Sequence, residues 1–207
     1  MITKNYIAKG EGADRFEKVP VQIYEKPAEA VKAIAYEIAE LIRTNAAQNK
    51  KCVLGLATGS SPIKLYQELV RMHKEEGLSF KNVVTFNLDE YLPMPKESVH
   101  SYHYFMHHHL FDHIDIEPKN IHIPDGTLKS DEIENFCKEY EQAIETAGGI
   151  DIQILGIGRT GHIGFNEPGS ALNSKTRMVY LNELTMKDAS GEFGGIDKVP
   201  TRAITMG

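Results

Sequence analysis

The chain has 207 residues, enough for one large domain and too few for two independent ones at roughly 150 residues each. With 41% hydrophobic and 25% charged residues it belongs among folded globular proteins, and a net charge of -6 without any cluster of Lys and Arg argues against nucleic acid as a partner. No apolar run approaches the roughly 20 residues of a membrane span, the opening MITKNYIAKGEGADRF lacks the apolar run of a signal peptide, and the two cysteines, Cys52 and Cys137, lie far apart, so the expected compartment is the cytoplasm.

After a polar start, residues 19–24 read as a short edge strand. Pro27 then opens a segment whose apolar residues Val31, Ile34, Ala35, Ile38, Leu41 and Ile42 recur at helical spacing. The run KCVLGLA over 51–57 predicts a buried strand. It closes on Thr58-Gly59-Ser60-Ser61-Pro62, after which Leu65, Tyr66, Leu69 and Val70 resume the helical period. Residues 83–87 (VVTFN) predict a second buried strand, 88–99 a loop with two prolines, and 101–114 an aromatic-rich helix. Residues 120–123 read as short and extended. Ile133, Phe136, Cys137, Tyr140, Ala143 and Ile144 mark a helix over 130–147 that stops at Gly148-Gly149, and DIQILG over 151–156 is a further strand. From 172 to 199 the pattern is weak and polar, and residues 172–200 are assigned as a candidate lid over the site. A final apolar stretch over 203–206 looks like a strand, and because a sheet protein rarely ends on an inner strand the sequence is expected to be cut short there.

Strands alternating with helices predict an α/β fold: an open, mostly parallel sheet with helices on both faces, modified Rossmann-like, in a single domain over 1–207. In such sheets ligands sit beyond the carboxyl ends of the strands, so the loops at 58–62, 87–91 and 156–168 should converge.

Those loops hold the unusual chemistry. Thr58, Gly59, Ser60 and Ser61 combine close backbone approach, two hydroxyl-bearing neighbours and a helix N-terminus, which suits a phosphate; a capped helix start without a ligand fits equally well. No G-K-[ST] follows, so a nucleoside triphosphate is not implied. Asp89 ends the second strand, where an acid can serve as a proton-transferring base, while its neighbour Glu90 should face solvent or a basic partner. Gly156, Gly158 and Gly161 match G-x-G-x-x-G, yet the following HIGFNEPG cannot open the helix that a dinucleotide site requires. His162 and Glu167 on that loop pair an imidazole with a carboxylate able to orient it. The six histidines between His100 and His113 do not predict a metal, because consecutive residues lie about 100° apart around a helix and no H-E-x-x-H spacing occurs. The reading therefore assigns no metal and no cofactor.

Taken together, LGLATGSSP, VVTFNLDEY with the downstream SYHYFMHHHLFDHIDI, and GIGRTGHIGFNEPGS resemble the glucosamine-6-phosphate deaminases of the sugar-phosphate isomerase superfamily, which also contains the 6-phosphogluconolactonases. The resemblance runs from about the first helix to the last residue. It implies conversion of glucosamine 6-phosphate and water to fructose 6-phosphate and ammonia, with a sugar phosphate as the small-molecule partner, no nucleic acid, no membrane and a possible homo-oligomer. The alternatives are an isomerase or deaminase for another aminosugar phosphate, or a non-catalytic phosphosugar-binding paralogue. The resemblance makes Asp89, His162 and Glu167 the catalytic set: His162 opens the sugar ring, Glu167 orients it, and Asp89 carries a proton between C2 and C1. Thr58, Gly59, Ser60, Ser61, Glu90, Thr160 and Gly161 become the substrate-binding set, with Glu90 also fixing its loop.

Three departures stand out. The family usually places an aspartate two residues before the histidine, where this chain has Thr160. It has a phosphate-reaching arginine near 189–193, where this chain reads ASGEF, which leaves Lys187 or Arg202 as replacements. A further phosphate-binding lysine is expected beyond Gly207. Relatives activated by N-acetylglucosamine 6-phosphate carry a small residue and basic residues just after the FNEP loop; Ser170 and Arg177 fit, but Val179 stands where another base is expected, so that switch is not predicted.

Overall fold

A computed structural model describes residues 20–207. Val19 lies outside the described residues, and 20–24 form no strand: Val21 and Ile23 are exposed. The first helix, α1 (Pro27–Ala47), begins on the proline whose fixed φ suits a first turn, and it buries Ala35, Ile38, Ala39 and Ile42. Strand β1 (Cys52–Leu56) follows, then α2 (Ile63–Glu76) and β2 (Val83–Asn87). The strands β1 and β2 are buried at every position, as expected where helices cover both faces of a parallel sheet.

The parallel sheet has the order β4-β2-β1-β5, with β4 at Ile121–His122 and β5 at Ile152–Gln153. Cys52, Leu54, Leu56 and Val83 pack on one face with α1, α2 and Met106 of α3 (Tyr102–His109). Val53, Val84 and Phe86 pack on the other with Tyr140 of α4 (Ile133–Thr146). Phe86 stacks on His122 at 4.4 Å and meets Tyr140 edge-on at 5.6 Å, and the Tyr140 hydroxyl donates to Asn87 O at 2.8 Å, so α4 is fixed to the carboxyl end of β2.

The predicted helix over 101–114 breaks at Leu110. Ser101 caps it by accepting from Tyr104 N–H, and a 3-10 turn (Phe111–His113) takes over the last residues. The strand at 151–156 shrinks to two residues at the sheet edge. There the Gln153 side chain lies over Gly55, in the space that a Cβ at Gly55 would need.

The expected loop at 88–99 contains a strand, β3 (Asp89–Leu92), and the expected aperiodic segment at 172–199 contains β6 (Arg177–Tyr180) and α5 (Glu183–Phe193). These build a second sheet, antiparallel, in the order β3-β7-β6, with β7 (Arg202–Thr205) in the middle. Two acids at the start of β3 masked it, and its partner lies more than a hundred residues away: Asp89 pairs with Thr205 and Glu90 with Ile204. Helix α5 has little apolar stripe to announce it. It is held by the Asn182 side chain accepting from Leu184 N–H and by a left-handed Gly194 at its end.

Candidate active site

The carboxyl ends of β1, β2 and β5 lie side by side, since β1 pairs in parallel with both others. The chain leaves β1 at Thr58, and Gly59 turns with φ of +96°. Gly59, Ser60 and Ser61 are exposed at the start of α2, whose first turn no side chain caps. The first N–H groups of that helix are therefore open to an anion.

Leu88 bonds back to β1 through its N–H and to Met206 through its carbonyl, so Asp89 enters the second sheet at the seam between the two. Asp89 is 6% exposed, and burial, aided by the neighbouring Glu90 charge, pushes its carboxyl up to about 8. The next side chain points the other way. Glu90 meets neither solvent nor a basic partner: its Oε1 accepts from Tyr91 N–H and Tyr102 N–H, and its Oε2 from His103 N–H, each at 3.0 Å. Burial raises its pKa to about 7 against the pull of those three donors. Glu90 thus serves the N-terminus of α3, and both its oxygens are occupied.

The loop after β5 opens no helix. Instead Ile163 and Asn166 form a β-bridge, and Asn166 Nδ2 donates to Met206 O at 2.7 Å, tying the turn to the end of β7. Gly164 sits at φ +57° with its α-carbon against Asp89. A Cβ there would stand 2.9 Å from Thr205 Oγ1 and 3.2 Å from Asp89 Oδ2. Gly158 fulfils a similar need: the His162 imidazole lies where its side chain would be, with Nε2 nearest to the position a Cβ would take. Within this loop Thr160 Oγ1 lies 2.8 Å from His162 Nδ1 and donates to Glu167 Oε2 at 2.7 Å, while Glu167 Oε1 stands 3.5 Å from His162 Nδ1. Thr160 and Gly161, expected among the substrate contacts, spend their donors inside the loop, Gly161 N–H going to Gly158 O.

Three aromatic residues that sequence reasoning passed over join the loops. The Tyr102 hydroxyl is set among Thr58, Tyr91 and the Asp89 carboxylate, and burial keeps both phenols neutral. Phe165 lies parallel to Tyr102 at 6.3 Å and tilted against Tyr91 at 5.3 Å. The one signal for them was position: Tyr91 follows the two acids, and Tyr102 begins the aromatic helix. Thr185 of α5 was also missed; its hydroxyl donates to Glu167 Oε1 at 2.9 Å.

Of the two basic residues offered as phosphate ligands, Lys187 is exposed on α5. Arg202 points elsewhere. It shares a sheet face with Leu92 and Ile204, opposite to Asp89, and lines with Met178 and Tyr180 a groove of about 790 Å³ between α4 and β6, which none of the candidate site residues borders. The histidines of α3 bond locally, His107 to Asp112 at 2.8 Å and His113 to His108 O. Among the described residues no group of three His, Cys, Asp or Glu gathers around a common point. Likewise, no helix among them is long and apolar enough to cross a membrane.

The family model described as glucosamine-6-phosphate isomerases/6-phosphogluconolactonase matches residues 25–188. The chain belongs to this family. A putative glucosamine-6-phosphate deaminase-like protein of Bacteroides thetaiotaomicron is 50% identical over 193 residues, which is 93% of this chain and 29% of that protein. A glucosamine-6-phosphate deaminase of Thermoanaerobacter sp. is 47% identical over 169 residues, 82% of this chain and 66% of that one. This chain thus spans less than two thirds of the length of either relative. A solved structure of a monomeric glucosamine-6-phosphate deaminase superposes with a TM-score of 0.83 at 43% identity, covering 89% of this chain and 74% of the other. The family match covers the whole parallel sheet, including the neighbouring carboxyl ends of β1, β2 and β5 that the three turns leave.

Proposed function

We propose that the protein deaminates glucosamine 6-phosphate, giving fructose 6-phosphate and ammonia. The observation that carries the reading is the Asp89 carboxylate, buried and shifted up to about 8, against which the glycine turn of the His162 loop is packed. A base with a pKa close to neutral is matched to abstracting a proton next to a masked carbonyl.

In this reading the open N-terminus of α2, with Thr58, Gly59, Ser60 and Ser61, holds the 6-phosphate and supplies binding energy remote from the reacting carbons. His162 moves the proton from the C1 hydroxyl to the ring oxygen and opens the sugar. The Asp89 carboxylate takes the proton from C2, forming the C1–C2 enolamine, exchanges it with solvent, and delivers a proton to C1. That leaves an iminium at C2, which water hydrolyses to the ketone with release of ammonia. One group could not serve both positions, so the separation of Asp89 from His162 on different loops suits the sequence of two proton transfers. Neutral Tyr91 and Tyr102 wall the site beside Asp89 and keep its surroundings apolar enough to sustain the raised pKa. Relatives named for this activity, which the chain matches at about half identity, support the substrate.

Ammonia release measured across several hexosamine phosphates tests the assignment. Turnover of glucosamine 6-phosphate above that of its 2-epimer and its N-acetylated form is the expected result. Tight binding of the phosphosugar by calorimetry without ammonia would instead identify a non-catalytic paralogue.

A further inference from the structure

We infer that Thr160 and Thr185 are positioning residues that clamp Glu167 between two hydroxyls and thereby hold His162 as the Nδ1–H tautomer, with Nε2 left as the proton acceptor. The inference deepens the proposed ring-opening step and rests on that reading for its effect on turnover, but not for its effect on the imidazole.

The proton count follows from the donors. A glutamate carboxylate only accepts, and each threonine hydroxyl has one proton to give. Thr185 spends its proton on Glu167 Oε1 at 2.9 Å and Thr160 spends its own on Glu167 Oε2 at 2.7 Å. With its proton committed, the Thr160 oxygen can meet His162 Nδ1, 2.8 Å away, only as an acceptor. The proton on the imidazole must therefore lie on Nδ1, and in the neutral ring Nε2 carries the lone pair. The direct approach of Glu167 to the ring is 3.5 Å, longer than a good hydrogen bond, so the hydroxyl and not the carboxylate makes the close contact. The ring is also confined on one face, because its Nε2 end lies over Gly158 in space that any other residue would fill.

Thr185 adds a dependence on α5. It sits in the first turn of that helix and is 9% exposed, and α5 is seated by an Arg159–Asp188 ion pair at 2.9 Å and by Phe193 packed edge-on against Tyr91. Displacing α5 removes one of the two hydroxyls that fix Glu167, so the imidazole is correctly held only when the helix is docked.

The test is nitrogen NMR of 15N-histidine-labelled protein without substrate, with turnover measured in parallel. Wild type should show His162 protonated at Nδ1 when neutral. Thr160→Val, which keeps the shape and loses the hydroxyl, should populate the Nε2–H form and lower kcat roughly ten- to a hundredfold with KM nearly unchanged, since one charge-assisted link is lost. Thr160→Ser should restore both the tautomer and kcat, and Thr185→Val should shift both in the same direction as Thr160→Val but less. An unshifted tautomer in Thr160→Val, or a failure of serine to rescue, overturns the inference. If the wild type turns over no aminosugar phosphate, the proposed function fails while the NMR result still decides the clamp. Should Thr160→Val not fold, the tautomers of Thr160→Ser and Thr185→Val decide it alone.

Discussion

At the scale of single residues, Asp89 is the group whose ionisation the fold opposes most visibly. Its carboxyl rises from 3.8 to about 8 on burial, so the folded chain keeps a proton that the unfolded chain has released. The sign follows: this contribution to stability is fully present below about pH 4 and is lost progressively as pH rises to about 8. Asp89→Asn cannot ionise, so urea melts should show the variant gaining on wild type steadily between about pH 5 and pH 8. A constant difference across that range would mean that Asp89 ionises without penalty. Asp89, His162 and Glu167 were legible in the sequence because each stands inside a short, punctuated motif that also sets its position on the sheet. Thr185 was not: its contact with Glu167 spans eighteen positions and depends on how α5 docks, which no local pattern encodes.

At the scale of elements, Glu90 shows why two adjacent acids need not share a role. Strand alternation turns it away from Asp89, and three backbone N–H groups at the start of α3 and on Tyr91 take both its oxygens. Glu90→Gln keeps the size but replaces one acceptor with a donor facing N–H groups. It should cost about 1–3 kcal/mol, read as a lower melting temperature and faster exchange of the Tyr102 and His103 amides. Unchanged exchange there would show that α3 does not depend on Glu90. The helices α1, α2 and α4 were legible because apolar spacing is written on their faces. Strand β3 and helix α5 were hidden for opposite reasons. The charges of β3 are buried by tertiary partners instead of facing water, and α5 is held by caps and docking more than by an apolar stripe.

At the scale of the whole molecule, a parallel sheet whose inner strands β1 and β2 are linked by the single helix α2 is joined to an antiparallel sheet whose central strand β7 pairs with β3 from the far side of the sequence. Pairings of such sequence separation form late, because loop closure must precede them. Ile204 is fully buried where β7 meets Leu92, Ile133 and Cys137. Ile204→Ala should therefore cost about 2–5 kcal/mol and appear mainly as faster unfolding, with refolding in stopped-flow nearly unchanged. A large drop in the refolding rate would place the second sheet in the folding nucleus. The parallel layer was readable from alternating strands and helices, and β7 from its apolar run, whereas β3, β6 and the pairing of the second sheet were not, since that pairing is a property of the folded chain and its strands are four residues each.

Deamination in this site requires that one sugar phosphate be served by the turns after β1, β2 and β5 together, with Asp89 as the base. Incubating the protein with glucosamine 6-phosphate in deuterated water and following C1 of the product by NMR tests this directly. The expected result is fructose 6-phosphate labelled at C1 in wild type and no labelled product from Asp89→Asn, which still binds the phosphosugar. Labelled product formed at the wild-type rate by Asp89→Asn would contradict it.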